Sequence, residues 1–177
     1  MNPSEDDLNP ICLEVLEWVD KFVIGFGLCP FASSARIAGG VRAVATAAMD
    51  IPSLLSGLQF ELGLLVRDLD IETTLLIHPE VLTDFEDYND FLDLADSLLK
   101  NLNLEGEIQI ASFHPSYCFS GSKPDDPENL SNRSPYPLLH LLREDSVTRA
   151  IKSHADIEAI PKKNIALLRQ LRFEGKL

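Results

Sequence analysis

Hydrophobic residues recur at intervals of three and four in several segments, and this spacing predicts amphipathic helices. The first helix begins after Asn9-Pro10 and ends at Gly25 to Gly27. Pro30 suits the first turn of a second helix, which would place Cys29 at its N-cap. Further helices are predicted over residues 51–69, 84–101, 146–153 and 161–173.

Three apolar segments, over residues 41–46, 72–78 and 107–113, have the composition and length of β-strands. Because these strands alternate with predicted helices, the pattern indicates an α/β fold. We expect a small, mainly parallel sheet of three to four strands packed with helices, with N-terminal and C-terminal helices added. Residues 138–142, a leucine-rich run around His140, form either a helix or a short further strand.

Composition restricts the class of protein. A chain of 177 residues that is 45% hydrophobic suits one globular domain over residues 1–177, with residues 1–8 as a flexible acidic N-terminus. The formal charge of −13 disfavours nucleic acids and anionic membranes as partners. Three scattered cysteines fit a reducing compartment. No apolar run approaches the roughly 20 residues needed to cross a bilayer, so we expect a soluble, cytoplasmic protein.

Two predicted strands end in the same motif, Ile77-His-Pro79 and Phe113-His-Pro115. The carboxyl ends of parallel strands share one edge, where open α/β folds place ligands, so His78 and His114 are expected within reach of each other. With His140, Asp125 and Asp126 they would form a ligand set for a divalent metal such as zinc or iron. Alternatively, each histidine binds a local backbone carbonyl and the aspartates form a solvated turn.

Cys29 is the candidate nucleophile, since the N-terminus of a helix stabilises a thiolate. His114 or His140 would then act as its catalytic base. The alternative is a buried structural cysteine among Phe26, Leu28 and Phe31.

The segment from His114 to Glu144 also carries Arg133 and Arg143 in an otherwise acidic protein. Guanidinium groups bind carboxylate or phosphate at two points, which predicts a small anionic ligand. Asn132 and Tyr136 are the predicted neutral contacts to this ligand. For Arg143, an ion pair with a nearby carboxylate is the alternative.

These motifs resemble the uncharacterised domain of unknown function 1415 family of single-domain proteins. The resemblance is carried by segments along nearly the whole chain: Gly27-Leu-Cys-Pro-Phe-Ala32, Thr73-Thr-Leu-Leu-Ile-His-Pro79, Asp84-Phe-Glu-Asp-Tyr-Asn-Asp-Phe-Leu92, Ile110-Ala-Ser-Phe-His-Pro115, Asp125-Asp126, Asn129, Asn132-Arg-Ser-Pro-Tyr-Pro137 and His140-Leu-Leu-Arg-Glu144. The family has no assigned reaction, so the resemblance implies a single domain and no particular chemistry.

The residues therefore favour an enzyme acting on a small anionic molecule at a Cys/His/Arg/Asp site, with or without a metal. A non-catalytic module that uses the 114–144 segment to bind a metabolite or partner is the first alternative. A structural or assembly role is the second.

Overall fold

The computed structural model describes residues 9–152 and 159–177, and the predicted N-terminus over residues 1–8 and the predicted helix end at Ser153 lie outside them. The strands are β1 (Val41–Ala45), β2 (Thr73–Ile77), β3 (Ile108–Phe113) and β4 (Leu138–Arg143). The helices are α1 (Pro10–Trp18), α2 (Pro30–Ile37), α3 (Ile51–Arg67), α4 (Phe85–Asn101), α5 (Glu144–Lys152) and α6 (Ile160–Phe173). A π-helical segment (Val19–Ile24) continues α1, and a 3₁₀-helix (Pro127–Asn132) interrupts the long loop.

The strands form one sheet in the order β1-β2-β4-β3. β1 pairs with β2 in parallel, whereas β4 is antiparallel to both β2 and β3. The mixed α/β composition is confirmed, but the predicted mainly parallel sheet is wrong. A parallel β4 would need a crossover that returns the chain to the opposite edge. The loop over residues 114–137 instead stays at the edge where β3 ends, so β4 runs back between its neighbours.

The two faces of the sheet bury different helices, because successive strand residues point to opposite sides. Leu76, Leu139 and Leu141 pack against α3 and α4. Leu75 and Leu138 pack against α1 on the other face. Near the end of β4, α2 and α5 cover this second face.

Three helices begin at side chains that accept hydrogen bonds from the free backbone N–H groups of the first turn. Asn9 accepts from Ile11 N (2.9 Å), and Asp50 accepts from Ser53 N (2.8 Å). Asp84 accepts from Glu86 N (2.8 Å), which starts α4 directly after the loop that follows β2. These caps fix where the helices enter the sheet and therefore where the connecting loops lie.

Candidate active-site cleft

His78 and His114 meet at one edge of the sheet. Since β1, β2 and β3 all run in the same direction, the ends of β2 and β3 share this edge. Tyr88 of α4 lies against both imidazoles, with ring centroids 5.7 Å from His78 and 5.1 Å from His114. All three side chains are buried. The predicted proximity of the two histidines is therefore confirmed.

Both of these imidazoles bind backbone groups of nearby loops. His78 donates from Nδ1 to Val81 O (2.8 Å), and His114 donates from Nε2 to Leu82 O (3.3 Å). His114 Nδ1 also accepts from Ser116 N (3.0 Å). Leu82 has a φ of 58°, an unusual backbone conformation for a leucine that these bonds help to hold. The pair therefore fixes the loop between β2 and α4.

Burial disfavours the charged form of both imidazoles. It lowers the pKa of His78 to about 4, and it also lowers the pKa of His114. The Nε2 atom of His78 is buried and has no hydrogen-bond partner among the described residues. His78 is therefore a neutral acceptor, with the ring of Tyr88 stacked against it.

His140 lies on the opposite face of the sheet. It occupies the middle of β4 and points to the side covered by α1 and α2, as Leu138 does. Its Nε2 donates to Thr73 Oγ1 (2.7 Å), because the Thr73 hydroxyl itself donates to Leu141 O (2.6 Å). Burial lowers the pKa of His140 to about 4. Its Nδ1 is left as an acceptor without a partner in the described part of the chain.

The predicted metal ligands do not come together as one set. His140 is separated from His78 and His114 by the sheet, and Asp126 accepts from Lys123 N (2.7 Å) in a turn of the long loop. Asp125 is exposed in the same turn, and its carbonyl accepts from Arg172. Within residues 9–152 and 159–177, no three His, Cys, Asp or Glu side chains are grouped to hold a metal ion.

The long loop is organised by its own polar side chains. Arg133 donates to Tyr117 O (3.0 Å) and to Pro124 O (2.7 Å). Asn129, which is fully buried, accepts from Phe119 N (3.0 Å) and donates to Lys123 O (2.7 Å). The guanidinium group predicted to bind an anion therefore serves here to order the loop.

Other predicted ligand contacts also bond within the protein. Asn132 donates to Ser112 O (3.0 Å), and Tyr136 donates to the Glu14 carboxylate (2.8 Å). Arg143 donates to Ile71 O (2.9 Å) and to the carbonyls of Leu65 and Asp68 at the end of α3. This last arrangement satisfies carbonyls that a helix terminus leaves without partners. Backbone carbonyls, rather than the carboxylates considered from the sequence, are the partners of Arg143.

A cleft of about 780 Å³ lies between the turn before α2, the long loop and α6. Cys29, Phe113 and Asn132 line it together with Asn164 of α6. Asn164 also donates to Leu28 O (2.8 Å), which ties α6 to the residue before Cys29. Phe113 and α6 were not among the predicted site residues. The sequence does not indicate that α6 contacts Cys29, because most of the chain lies between them.

Cys29 occupies the N-cap of α2, as predicted. Its backbone is extended (φ −132°, ψ 113°), and its thiol makes no capping hydrogen bond. Cys29 is partly exposed, and it lines both the cleft and a smaller cavity behind it. Phe31 N–H, in the first turn of α2, has no acceptor among the described residues, as expected at a helix start. Cys29 therefore combines an uncapped thiol, a free backbone donor and access to the cleft.

The smaller cavity, hereafter the inner cavity, has a volume of about 60 Å³ and lies between the sheet and the helices α1 and α2. Cys29 and His140 both line it. Phe113 separates it from the cleft, with its ring centroid 6.0 Å from that of His140. Of the three histidines predicted as site residues, His140 is thus the one that shares a cavity with Cys29.

The π-helical segment shapes the wall beside Cys29. Gly25 N donates to Asp20 O (3.1 Å) and Leu28 N donates to Val23 O (2.9 Å), both across five residues. A Cβ atom at Gly25 would collide with the carbonyl oxygen of Lys21. Val23 lines both the cleft and the inner cavity. Short π-helical turns are frequently found at functional sites, which supports this region as the site.

The chain belongs to the family described as Protein of unknown function (DUF1415), whose match covers residues 11–176. The resemblance noted in the sequence is therefore confirmed over nearly the whole chain. Comparison with curated proteins and with solved structures found no match. Across the described ranges, no helix is both long and apolar enough to cross a membrane. The cytoplasmic location and the absence of nucleic-acid binding stay predictions.

Proposed function

We propose that this protein is an enzyme that transfers or hydrolyses an acyl group of a small molecule, with Cys29 as the nucleophile. One observation carries the proposal: the uncapped Cys29 thiol lies where the cleft meets the inner cavity lined by His140. A nucleophile, a base and a ligand-sized space are the parts that such a reaction needs.

The chemistry follows from these groups. The Cys29 thiol loses its proton as its sulfur attacks the carbonyl carbon of the substrate. The bond from that carbon to the leaving group then breaks, and the leaving group departs with a proton. Water or a second acceptor next attacks the thioester, which releases the acyl group and restores the thiol.

Three features of the site support these steps. Burial lowers the pKa of His140 to about 4, so the ring is neutral but a weak base until a thiolate forms beside it, and Nδ1 is the atom that would accept the proton. A thiolate in the same cavity would stabilise the resulting imidazolium. Phe31 N–H and the positive end of α2 stabilise negative charge on the carbonyl oxygen beside Cys29.

The charge of the substrate is a separate part of the proposal. Arg133 and Arg143 bind backbone carbonyls, so neither guanidinium faces the cleft unpaired. At the cleft, Arg169 pairs with Glu128 (Nε to Oε2, 3.2 Å). An anionic substrate, as predicted from the sequence, would have to share Arg169 with this carboxylate. The serine and asparagine side chains of the cleft instead favour a neutral polar leaving group.

The test is acylation of the purified protein by p-nitrophenyl acetate and butyrate, followed by peptide mass spectrometry. We expect an acyl adduct on Cys29 and release of p-nitrophenol that Cys29→Ala abolishes. Cys118→Ala is the matched control, because Cys118 lies in the long loop beside Ser122 and Asn129. Acylation spread equally over Cys29 and Cys118, or turnover that survives Cys29→Ala, would refute the nucleophile.

A non-catalytic binding module is the second candidate. It is favoured by the fact that His78, His114, Arg133 and Arg143 all donate to backbone carbonyls, as expected for a segment built to hold its shape. In that case a ligand would bind Cys29→Ala and wild type equally well, and no acyl adduct would form.

A further inference from the structure

The inner cavity is almost entirely apolar. Its walls come from α1 and its π-helical continuation, from α2 and from all four strands, and include Trp18, Val23, Phe31, Ala35, Leu75 and Leu138. Its polar side chains are Thr73, which already bonds to His140 and Leu141, together with His140 and Cys29. A water molecule is held in a buried site by two to four polar partners, so this space is better suited to hydrocarbon than to water.

The size of the cavity limits what it can hold. Its volume of about 60 Å³ is twice the roughly 30 Å³ that one water molecule takes up in the liquid, and a methylene group is of similar size. Two to three carbon atoms therefore fit, and a longer chain does not. A branched or aromatic group would need the surrounding helices to move.

The position of the cavity connects it to the nucleophile. Cys29, Val23 and Phe113 line both the inner cavity and the cleft, so the two spaces adjoin at these three residues. The serine and asparagine side chains of the cleft lie outside this point. A substrate that spans both spaces would place its apolar end inside, its reacting carbonyl beside Cys29 and its polar part outside.

We infer that the inner cavity is the acyl-chain subsite, and that the substrate is a short-chain acyl ester or thioester whose acyl group has two to four carbons. The identification of the bound group as an acyl chain rests on the proposed function. The apolar, size-limited subsite beside Cys29 stands without it.

The experiment measures the rate at which Cys29 is modified by methyl, ethyl, propyl and hexyl methanethiosulfonate. Each rate is divided by that of a small thiol in solution, which removes differences in reagent reactivity. Burial of one methylene changes an equilibrium about fourfold. We therefore expect the relative rate of Cys29 modification to rise about fifteenfold from the methyl to the propyl reagent, with no further rise for the hexyl reagent. Cys118, in the same molecules, should show no such dependence.

Variants of α2 provide the matched controls. Ala35→Leu fills the cavity and should abolish the gain from methyl to propyl, while the methyl reagent still modifies Cys29. Ala38→Leu adds the same group at an exposed position of the C-cap and should leave the gain unchanged. If Ala35→Leu fails to fold, Ala32→Val, a smaller change in the wall, serves the same purpose.

The outcomes separate the two proposals. Rates that do not depend on chain length, or a gain that survives the filled cavity, would overturn the subsite even if p-nitrophenyl esters acylate Cys29. A chain-length gain that Ala35→Leu removes would support the subsite even if no ester acylates Cys29, because thiosulfonates react with any accessible thiol.

Discussion

Buried histidines make the stability of this protein depend on pH. His78 is completely buried, and its pKa falls from 6.5 to about 4 because burial disfavours the charged imidazole. As the pH falls below 6.5, the unfolded chain binds a proton at this position and the folded protein does not. The free energy of unfolding therefore decreases between pH 6.5 and pH 4, and the effect is absent above pH 6.5.

The magnitude follows from the size of the shift. The fall in the pKa of His78 from 6.5 to about 4 corresponds to a limit of about 3 kcal/mol, and about 2 kcal/mol of this is lost by pH 5. His140, whose pKa is also lowered to about 4, adds a loss in the same direction. Since a domain of this kind has a free energy of unfolding of about 5–15 kcal/mol, acid near pH 5 should weaken it strongly.

Urea unfolding at pH 7.5, 6.0 and 5.0 tests this prediction with wild type and His78→Asn. The asparagine amide can replace the bond from His78 Nδ1 to Val81 O but does not titrate. The free-energy difference between the two proteins should shift by about 2 kcal/mol in favour of the variant from pH 7.5 to pH 5.0. A difference that stays constant over this range, or a His78 titration near 6.5 by NMR, would refute the reasoning.

Two further predictions use paired substitutions measured by urea unfolding. Tyr88→Phe removes a buried hydroxyl that bridges β3 and β4 by accepting from Phe113 N and donating to a carbonyl of β4. This change should lower the free energy of unfolding by about 2–4 kcal/mol. Tyr136→Phe removes a more exposed hydrogen bond and should lower it by under about 1 kcal/mol. Equal losses would contradict the assigned bridge. Gly25→Ala should destabilise the protein by about 1–3 kcal/mol, because the new Cβ collides with the backbone of the π-helical segment. Gly57 lies inside α3 without a close contact, so Gly57→Ala should stabilise the protein by about 0.5–1 kcal/mol. Losses of the same size at both glycines would remove the special role of Gly25.

Local patterns predicted the elements well. The helical spacing placed α3 and α4 within a few residues of their observed bounds, and Pro30 correctly placed Cys29 at an N-cap. The common edge of His78 and His114 was also predictable, because it depends only on β2 and β3 running in the same direction. The helix bounds and the N-cap follow from backbone preferences that act over a few residues.

Long-range pairing was not predictable in the same way. The leucine-rich run around His140 is too short for its periodicity to separate helix from strand, and its place between β2 and β3 depends on the path of the preceding loop. The partners of Arg133 and Arg143 are backbone carbonyls, which every sequence contains, so nothing in the residue types distinguishes them from a ligand. The cleft was missed for a related reason, since α6 meets Cys29 only after the chain has folded.

β4 lies between β2 and β3 in the sheet, although it is the last strand to be synthesised. Ribosomal synthesis proceeds from the N-terminus, so β1, β2 and β3 all emerge before the strand that joins β2 to β3. Until residue 143 is available, both β2 and β3 present an unpaired edge, and such edges pair readily with other chains. Closing the sheet also requires contacts between residues far apart in sequence, which slows folding. The central strand arrives last, so the nascent chain is most exposed to aggregation just before the sheet is completed.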